Sequence, residues 1–261
     1  MRTELQYSKK MFMRLARPVF RYSAATVVLL LASGAAPFQC STSDDLALGI
    51  PLQTGNVWTY RGTQTVRTNP TSIPAAFHTA PIKLEMRVVQ VVRRAGITGA
   101  LVRGFPYDLR GGRPATYAII EVGRKVFLVE GQRAETVFNR LNNRGDSDFG
   151  DLVKDSEVLF GTPLAVGQKF CESEQIARDG DMYCWKVTGK RPFAHTGVNG
   201  LRAGSSTEYE ITNRANDGYS SFGISPGVGI TRFSYEAMCA SCGGKAEIRL
   251  VAYQRGAFTM T

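Results

Sequence analysis

The segment "IKLEMRVVQVV" constrains the fold most. Ile82, Leu84, Met86 and Val88 alternate with Lys83, Glu85 and Arg87. A repeat of two residues puts every apolar side chain on one face of an extended strand, and a helix would scatter them around its circumference. One oily face and one charged face fit an antiparallel sheet with one side against a core and the other in water.

The same text recurs. "NVWTYRGTQTVR" places Trp58, Tyr60 and Val66 opposite Thr59, Arg61, Thr63 and Thr65, and "ATYAIIEVGRKVFLVEG" reads as a hairpin turning at Gly123-Arg124. Strand text resumes in "CWKVTGKR", "STEYEITNR", "GVGITRFSYEAM" and "AEIRLVAYQ". "NPTSIPAAFHTAP" between the first two strands reads as a Pro-punctuated loop. Only "GQRAETVFNRLNN" has helical spacing, with Ala134, Val137, Phe138 and Leu141 on one face. About 9–11 strands with one helix and no alternation of strand with helix predict a mainly β fold, a curved antiparallel sheet or open barrel with the helix packed on it.

The start of the chain predicts export. A basic segment ends at Arg21, an apolar run covers Ala24–Ala36, and small residues and Pro37 close it. This is the layout of a secretory signal peptide, and the run is too short for a membrane span. Met11 and Met13 offer alternative starts. Cleavage is expected within residues 32–40, which divides the chain into a signal peptide (1–39), a polar linker (40–50) and a single β-rich domain (51–261). The formal charge of +10 is shared between these parts: six of the 32 Lys and Arg and one of the 22 Asp and Glu precede residue 40. The remaining charges are scattered, which excludes a nucleic-acid footprint.

Five cysteines are present, at 40, 171, 184, 239 and 242. Cys40 stands alone beside the cleavage region, either as a lipidation site or as a thiol in a flexible tail; lipidation would be the chain's only membrane attachment. In an oxidising compartment the other four are expected as disulfides, with Cys171 paired to Cys184 and Cys239 to Cys242, although three pairings are formally open. The "CASC" at 239–242 leads into Gly243-Gly244 between strands and lacks the helix start of a redox motif. A zinc site would need Cys171 and Cys184 as a poorly spaced second half.

"IPLQTGNVWTYR" and "SPGVGITRFSYEAM…AEIRLVAYQ" resemble a type of secreted bacterial envelope protein with a Pro-Leu, Gly-Asn, Trp, Tyr opening and a C-terminal Pro-Gly-Val-Gly strand. In outline these proteins are similar to the curved-sheet lipoprotein-carrier folds. The resemblance covers the two ends of the domain and implies compartment and fold class, not an activity.

The motifs that suggest chemistry are each opposed by their surroundings. "GISPG" around Ser225 has the form of a hydrolase nucleophile elbow, but Pro226 lacks the N–H an oxyanion hole needs there, strand text follows, and His78 and His195 both precede the serine. Ser225→Ala is therefore expected to change little and Gly227→Val to destabilise. Asp146, Asp148 and Glu157 sit at positions one, three and twelve of a calcium loop, but position six is Asp151 instead of Gly. No catalytic residue, metal site or cofactor is expected, and the chain is read as a non-enzymatic exported module; a hydrolase with a site hidden from spacing is the alternative. Its partner would be a lipid or apolar small molecule, or another envelope protein. Trp58, Tyr60, Phe233 and Tyr235 are the candidate ligand-binding residues on a concave face, with burial under the helix at 132–142 as the competing assignment.

Overall fold

The alternating segments become strands in the computed structural model, which describes residues 49–68, 76–110, 114–154, 156–171, 182–215, 218–238 and 244–256. The first half runs β1 (Val57–Arg67), β2 (Phe77–Arg94), β3 (Ile97–Arg103), a 3-10 turn (Pro106–Arg110), β4 (Thr116–Val122), β5 (Lys125–Glu130), helix α1 (Gly131–Asn142) and β6 (Glu157–Gly161). The second half runs β7 (Lys169–Cys171), β8 (Cys184–Ala194), β9 (Ser205–Ala215), β10 (Gly218–Ser225), β11 (Gly229–Ala237) and β12 (Gly244–Gln254).

These strands form one twelve-stranded sheet in the order β6-β5-β4-β3-β2-β1-β12-β11-β10-β9-β8-β7. Two sequential meanders are thus joined by the antiparallel pairing of β1 with β12. The end strands β6 and β7 come into contact, so the sheet rolls into a nearly closed barrel. Trp185 of β8 donates its indole N–H to Glu157 of β6 across the gap, at 2.6 Å.

One face of all twelve strands supplies a single interior core, including Trp58, Met86, Val102, Ile119, Phe160, Trp185, Phe222 and Ile248. Helix α1 buries Ala134, Val137, Phe138 and Leu141, the four residues its spacing predicts. Ala134, Val137 and Leu141 join a second, smaller cluster with Ile97, Ala118, Ile120 and Val129. Ala118 and Ile120 alternate along β4 with the interior Tyr117 and Ile119, so the helix lies on the outer face of the barrel. Trp58, Tyr60, Phe233 and Tyr235 belong to the interior core, which corrects the expectation that they would pack beneath the helix.

A second correction concerns the Pro-rich loop. β2 begins at Phe77, so His78 and Pro81 are strand residues, and Pro81 stands opposite Thr63 of β1. β3 pairs with β2 only over Arg87–Arg94. The first half of β2 therefore has one neighbour, and an edge strand tolerates a residue without an N–H. The hairpin at Gly123-Arg124 forms with Val122 opposite Lys125, and Gly123 takes the positive φ of 59° that a tight two-residue turn favours.

Candidate functional site

The aromatic residues expected to meet a ligand are committed to the chain's own structure. Trp58, Tyr60 and Phe233 are fully buried, and Tyr235 is 7% exposed. The Trp58 indole N–H donates to the carbonyl oxygen of Val228 at 2.6 Å, and the Tyr60 hydroxyl donates to that of Ile230 at 3.0 Å. Burial holds the Tyr60 hydroxyl well above its ordinary pKa. Phe233 packs on Phe222 at 4.9 Å between ring centroids.

These two bonds have a common cause. β11 pairs with β12 over Arg232–Glu236, and its first residues lie beyond that ladder. Trp58 and Tyr60 reach from β1 to the carbonyls there. Against the freed stretch of β12, the loop residue Asn199 forms a parallel bridge with Ala252: its N–H donates to Val251 and its carbonyl accepts from Tyr253. The Pro-Gly-Val-Gly motif makes the departure of β11 possible. Ser225 to Val228 form a turn closed by a 2.9 Å bond, with Pro226 second and Gly227 third at φ 78°, the residue choice of a type II turn. At Gly229 a Cβ would lie 3.2 Å from Trp58 Nε1. The opening motif is similarly structural: Asn56 donates to Pro51 and accepts from the N–H of Gly256, each at 2.8 Å.

Beside this junction lies an open groove of about 530 Å³ on the outer surface, lined by Thr59, Glu85, Arg87, Asn199, Tyr253 and Arg255 among others. Its walls are mixed in polarity, and Arg87 pairs with Glu85 at 2.8 Å.

A second polar group joins the 3-10 turn to β4, β6, β8 and β10. Tyr107 and Trp185 both donate to the same oxygen of Glu157, at 2.7 and 2.6 Å. Asp108 accepts from the Tyr117 hydroxyl at 2.9 Å, and Arg110 lies over the Tyr107 ring and donates to Ser220 at 2.9 Å. Partial desolvation raises the pKa of Glu130, whose side chain still meets solvent, and the neighbouring Glu157 raises it further. Desolvation raises that of Asp108 against the bonds it accepts. This cluster sets Glu157 apart from the acidic loop. Asp146 and Asp151 of that loop pair with Arg140 of the helix at 3.1 and 3.0 Å, an arrangement that uses their charge internally.

A third group forms on the outer face of β8, β9 and β10. Ser225 is completely buried and lies 2.6 Å from the hydroxyl of Ser206. Ser206 in turn lies 2.9 Å from Nε2 of His195, whose Nδ1 lies 3.1 Å from the carbonyl oxygen of Arg202. Sequence reasoning did not find Ser206, although the hairpin register that sets Ala194 opposite Ser205 brings His195 and Ser206 together. Two residues further along β9, the buried Glu208 receives Arg191 at 2.7 Å, Arg232 at 3.2 Å and the hydroxyl of Thr231.

Cys171 and Cys184 form a disulfide at a paired position of β7 and β8. Cys40, Cys239, Cys242 and the signal segment lie outside the described residues. Among the described residues no group of three or more His, Cys, Asp or Glu side chains is placed to hold a metal ion.

No family model and no curated protein matches the chain. Among solved structures it is similar to a presumed exported protein with a YmcC-like fold from Bacteroides fragilis, at 11% identity and a TM-score of 0.38, over 80% of this chain and 100% of that one. It is also similar to a presumed lipoprotein from Parabacteroides distasonis, at 11% identity and a TM-score of 0.33, over 80% and 99% of the two chains.

Proposed function

We propose that this chain is an exported, non-enzymatic envelope protein that engages its partner through the outer surface of the barrel, not through a cavity inside it. The observation that carries this reading is the use of the signature aromatics. A carrier would leave Trp58, Tyr60, Phe233 and Tyr235 lining space that an apolar ligand could fill. Here the first two cap backbone carbonyls and Phe233 packs against Phe222. A partner then meets the outside, where the groove beside Thr59, Glu85, Arg87 and Arg255 combines polar and apolar walls. Such a lining suits a protein surface better than a lipid chain. The basic, apolar and small-residue order of the first 39 residues supports export, and the disulfide at Cys171–Cys184 suits an oxidising compartment.

Native mass spectrometry of the full chain purified from its producing cells tests this reading. The expected product begins within residues 32–40, or at an acylated Cys40 that Cys40→Ser releases from membranes, and carries no stoichiometric lipid in the barrel. Retention of the segment 27–31, or a lipid held through gentle desorption and lost in Phe233→Ala, overturns it.

A further inference from the structure

We propose that Ser206 is an activated nucleophile, a site of covalent acylation on the outer face of the barrel. The hydrogen-bond chain around it has one consistent direction. The carbonyl of Arg202 can only accept, so the Nδ1 of His195 that faces it at 3.1 Å carries the proton. In the neutral ring, Nε2 is then the lone-pair nitrogen, and it points at Ser206 at 2.9 Å. Ser206 has one hydroxyl hydrogen and donates it to Nε2. The contact between Ser206 and Ser225 at 2.6 Å must therefore be a donation from Ser225. Each member is fixed by the next: a serine hydroxyl aimed at a basic nitrogen, and that base held in the required tautomer by a third group. This is the arrangement that activates serine nucleophiles in general.

Accessibility selects Ser206 over Ser225. Ser225 is completely buried, whereas Ser206 and His195 are half-buried. Ser225 is a positioning residue that holds the Ser206 oxygen by donating to it. In the reaction, the Ser206 oxygen attacks the carbonyl carbon of an ester or thioester and its proton passes to Nε2 of His195. The carbon–oxygen or carbon–sulfur bond to the leaving group breaks, and the departing alcohol or thiol takes the proton from His195. The products are an acyl-serine and the free alcohol or thiol, with His195 neutral again.

The surroundings favour one covalent event over turnover. Ser206 lies on an extended strand opposite Phe193, with Thr207 opposite Pro192, and not on the sharp strand-to-helix turn that aims the N–H groups beside a nucleophile at an oxyanion. Loss of a single oxyanion donor costs about 10²–10³ in rate. The substrate class is accordingly an activated acyl donor, and the outcome is an acylated chain. This goes beyond the non-enzymatic reading and is compatible with it.

The test uses the folded full chain with a fluorophosphonate probe and with p-nitrophenyl acetate, followed by peptide mass mapping. One adduct at Ser206 is expected, with one equivalent of p-nitrophenol released and no sustained turnover. Ser206→Ala should abolish it. His195→Ala should slow it by about 10²-fold or more, the size of a general-base contribution. Ser225→Ala should slow it about fivefold, one hydrogen bond's worth, and Ser225→Thr should restore the rate. Melting temperatures of all variants, together with labelling of heat-denatured wild type, separate reactivity from unfolding. Absence of an adduct at Ser206 in the folded wild type, or a rate unchanged by His195→Ala, overturns the proposal. Sustained p-nitrophenol release that depends on Ser206 overturns instead the non-enzymatic reading above and the limit to a single event.

Discussion

The indole N–H of Trp58 meets the carbonyl of Val228 at 2.6 Å across 170 residues of sequence. It joins the Gly-Asn-Val-Trp-Thr-Tyr stretch at 55–60 to the Pro-Gly-Val-Gly stretch at 226–229. Val228 is 5% exposed, so water cannot replace the donor. Trp58→Phe should therefore destabilise by about 3 kcal/mol, combining an orphaned buried carbonyl with the space left by the smaller ring. Tyr60→Phe keeps the ring and removes only the donor to Ile230, and about 1–2 kcal/mol is expected. Urea unfolding of both variants checks this; a Trp58→Phe cost below that of Tyr60→Phe would count against the tie.

Two glycines permit the rearrangement that this bond secures. Gly227 has φ 78° in the turn before β11, and Gly200 has φ 86° where the loop approaches β12. A side chain at Gly200 would also collide with the carbonyl oxygen of Tyr253. Gly200→Ala is expected to cost more than the backbone penalty of about 1–2 kcal/mol that Gly227→Ala also carries at φ 78°. Gly227→Val should cost more again, since a β-branched side chain fits that conformation poorly. Thermal melts of the three variants give the order directly.

Reduction of Cys171–Cys184 should loosen the chain without unfolding it. The bridge spans 13 positions, a loop whose closure contributes about 3 kcal/mol in the chain-entropy description. The rest of the barrel has its own core, so circular dichroism should retain the β signal under reductant while the melting temperature falls. Loss of the β signal at 25 °C on reduction would show that the bridge is needed for the fold itself.

Stability should also respond to acid through Glu130. Its folded pKa is raised, so the folded protein holds the proton more tightly than the unfolded chain. The stabilising contribution is fully present below the ordinary glutamate value of about 4.3 and is lost as pH rises through the folded value. Glu130→Gln imitates the protonated form, and Glu130 makes no side-chain cap bond at the helix start that the change could remove. The variant should melt higher than wild type at pH 7, with the difference disappearing near pH 4. A lower melting point at pH 7 would contradict the desolvation and the repulsion from Glu157 that raise this pKa.

Local periodicity made much of this fold legible. The helix, the hairpin at Gly123-Arg124 and the Cys171–Cys184 bridge depend on residues close in sequence. β10 escaped notice because "GYSSFGIS" is rich in glycine and serine, and its place in the sheet comes from neighbours on both sides. Pro81 disguised the start of β2 because an edge position cannot be recognised before strand order is known. Glu157 looked like part of an acidic loop, yet β6 turns it toward Tyr107 and Trp185. The pairing of Ser206 with His195 depends on hairpin register, and Ser225→Ala, expected from sequence to be nearly silent, now removes a buried hydrogen bond worth about 1 kcal/mol.

The joining of β1 to β12 sets the order in which the molecule can assemble. Each meander can zip up by adding the next strand in turn, but the ladder between them waits until the last strand exists, and Val57 must find Gln254. Contacts so distant in sequence make for slow folding, and until they form each half exposes an edge open to foreign strands. The arrangement also puts the entry to β1 and the exit from β12 side by side, with Asn56 bonded to Gly256. A circular permutant that links these ends and opens at the turn between β2 and β3 would turn the most distant pairing into a local hairpin, and it should refold faster than the natural order while reaching the same barrel.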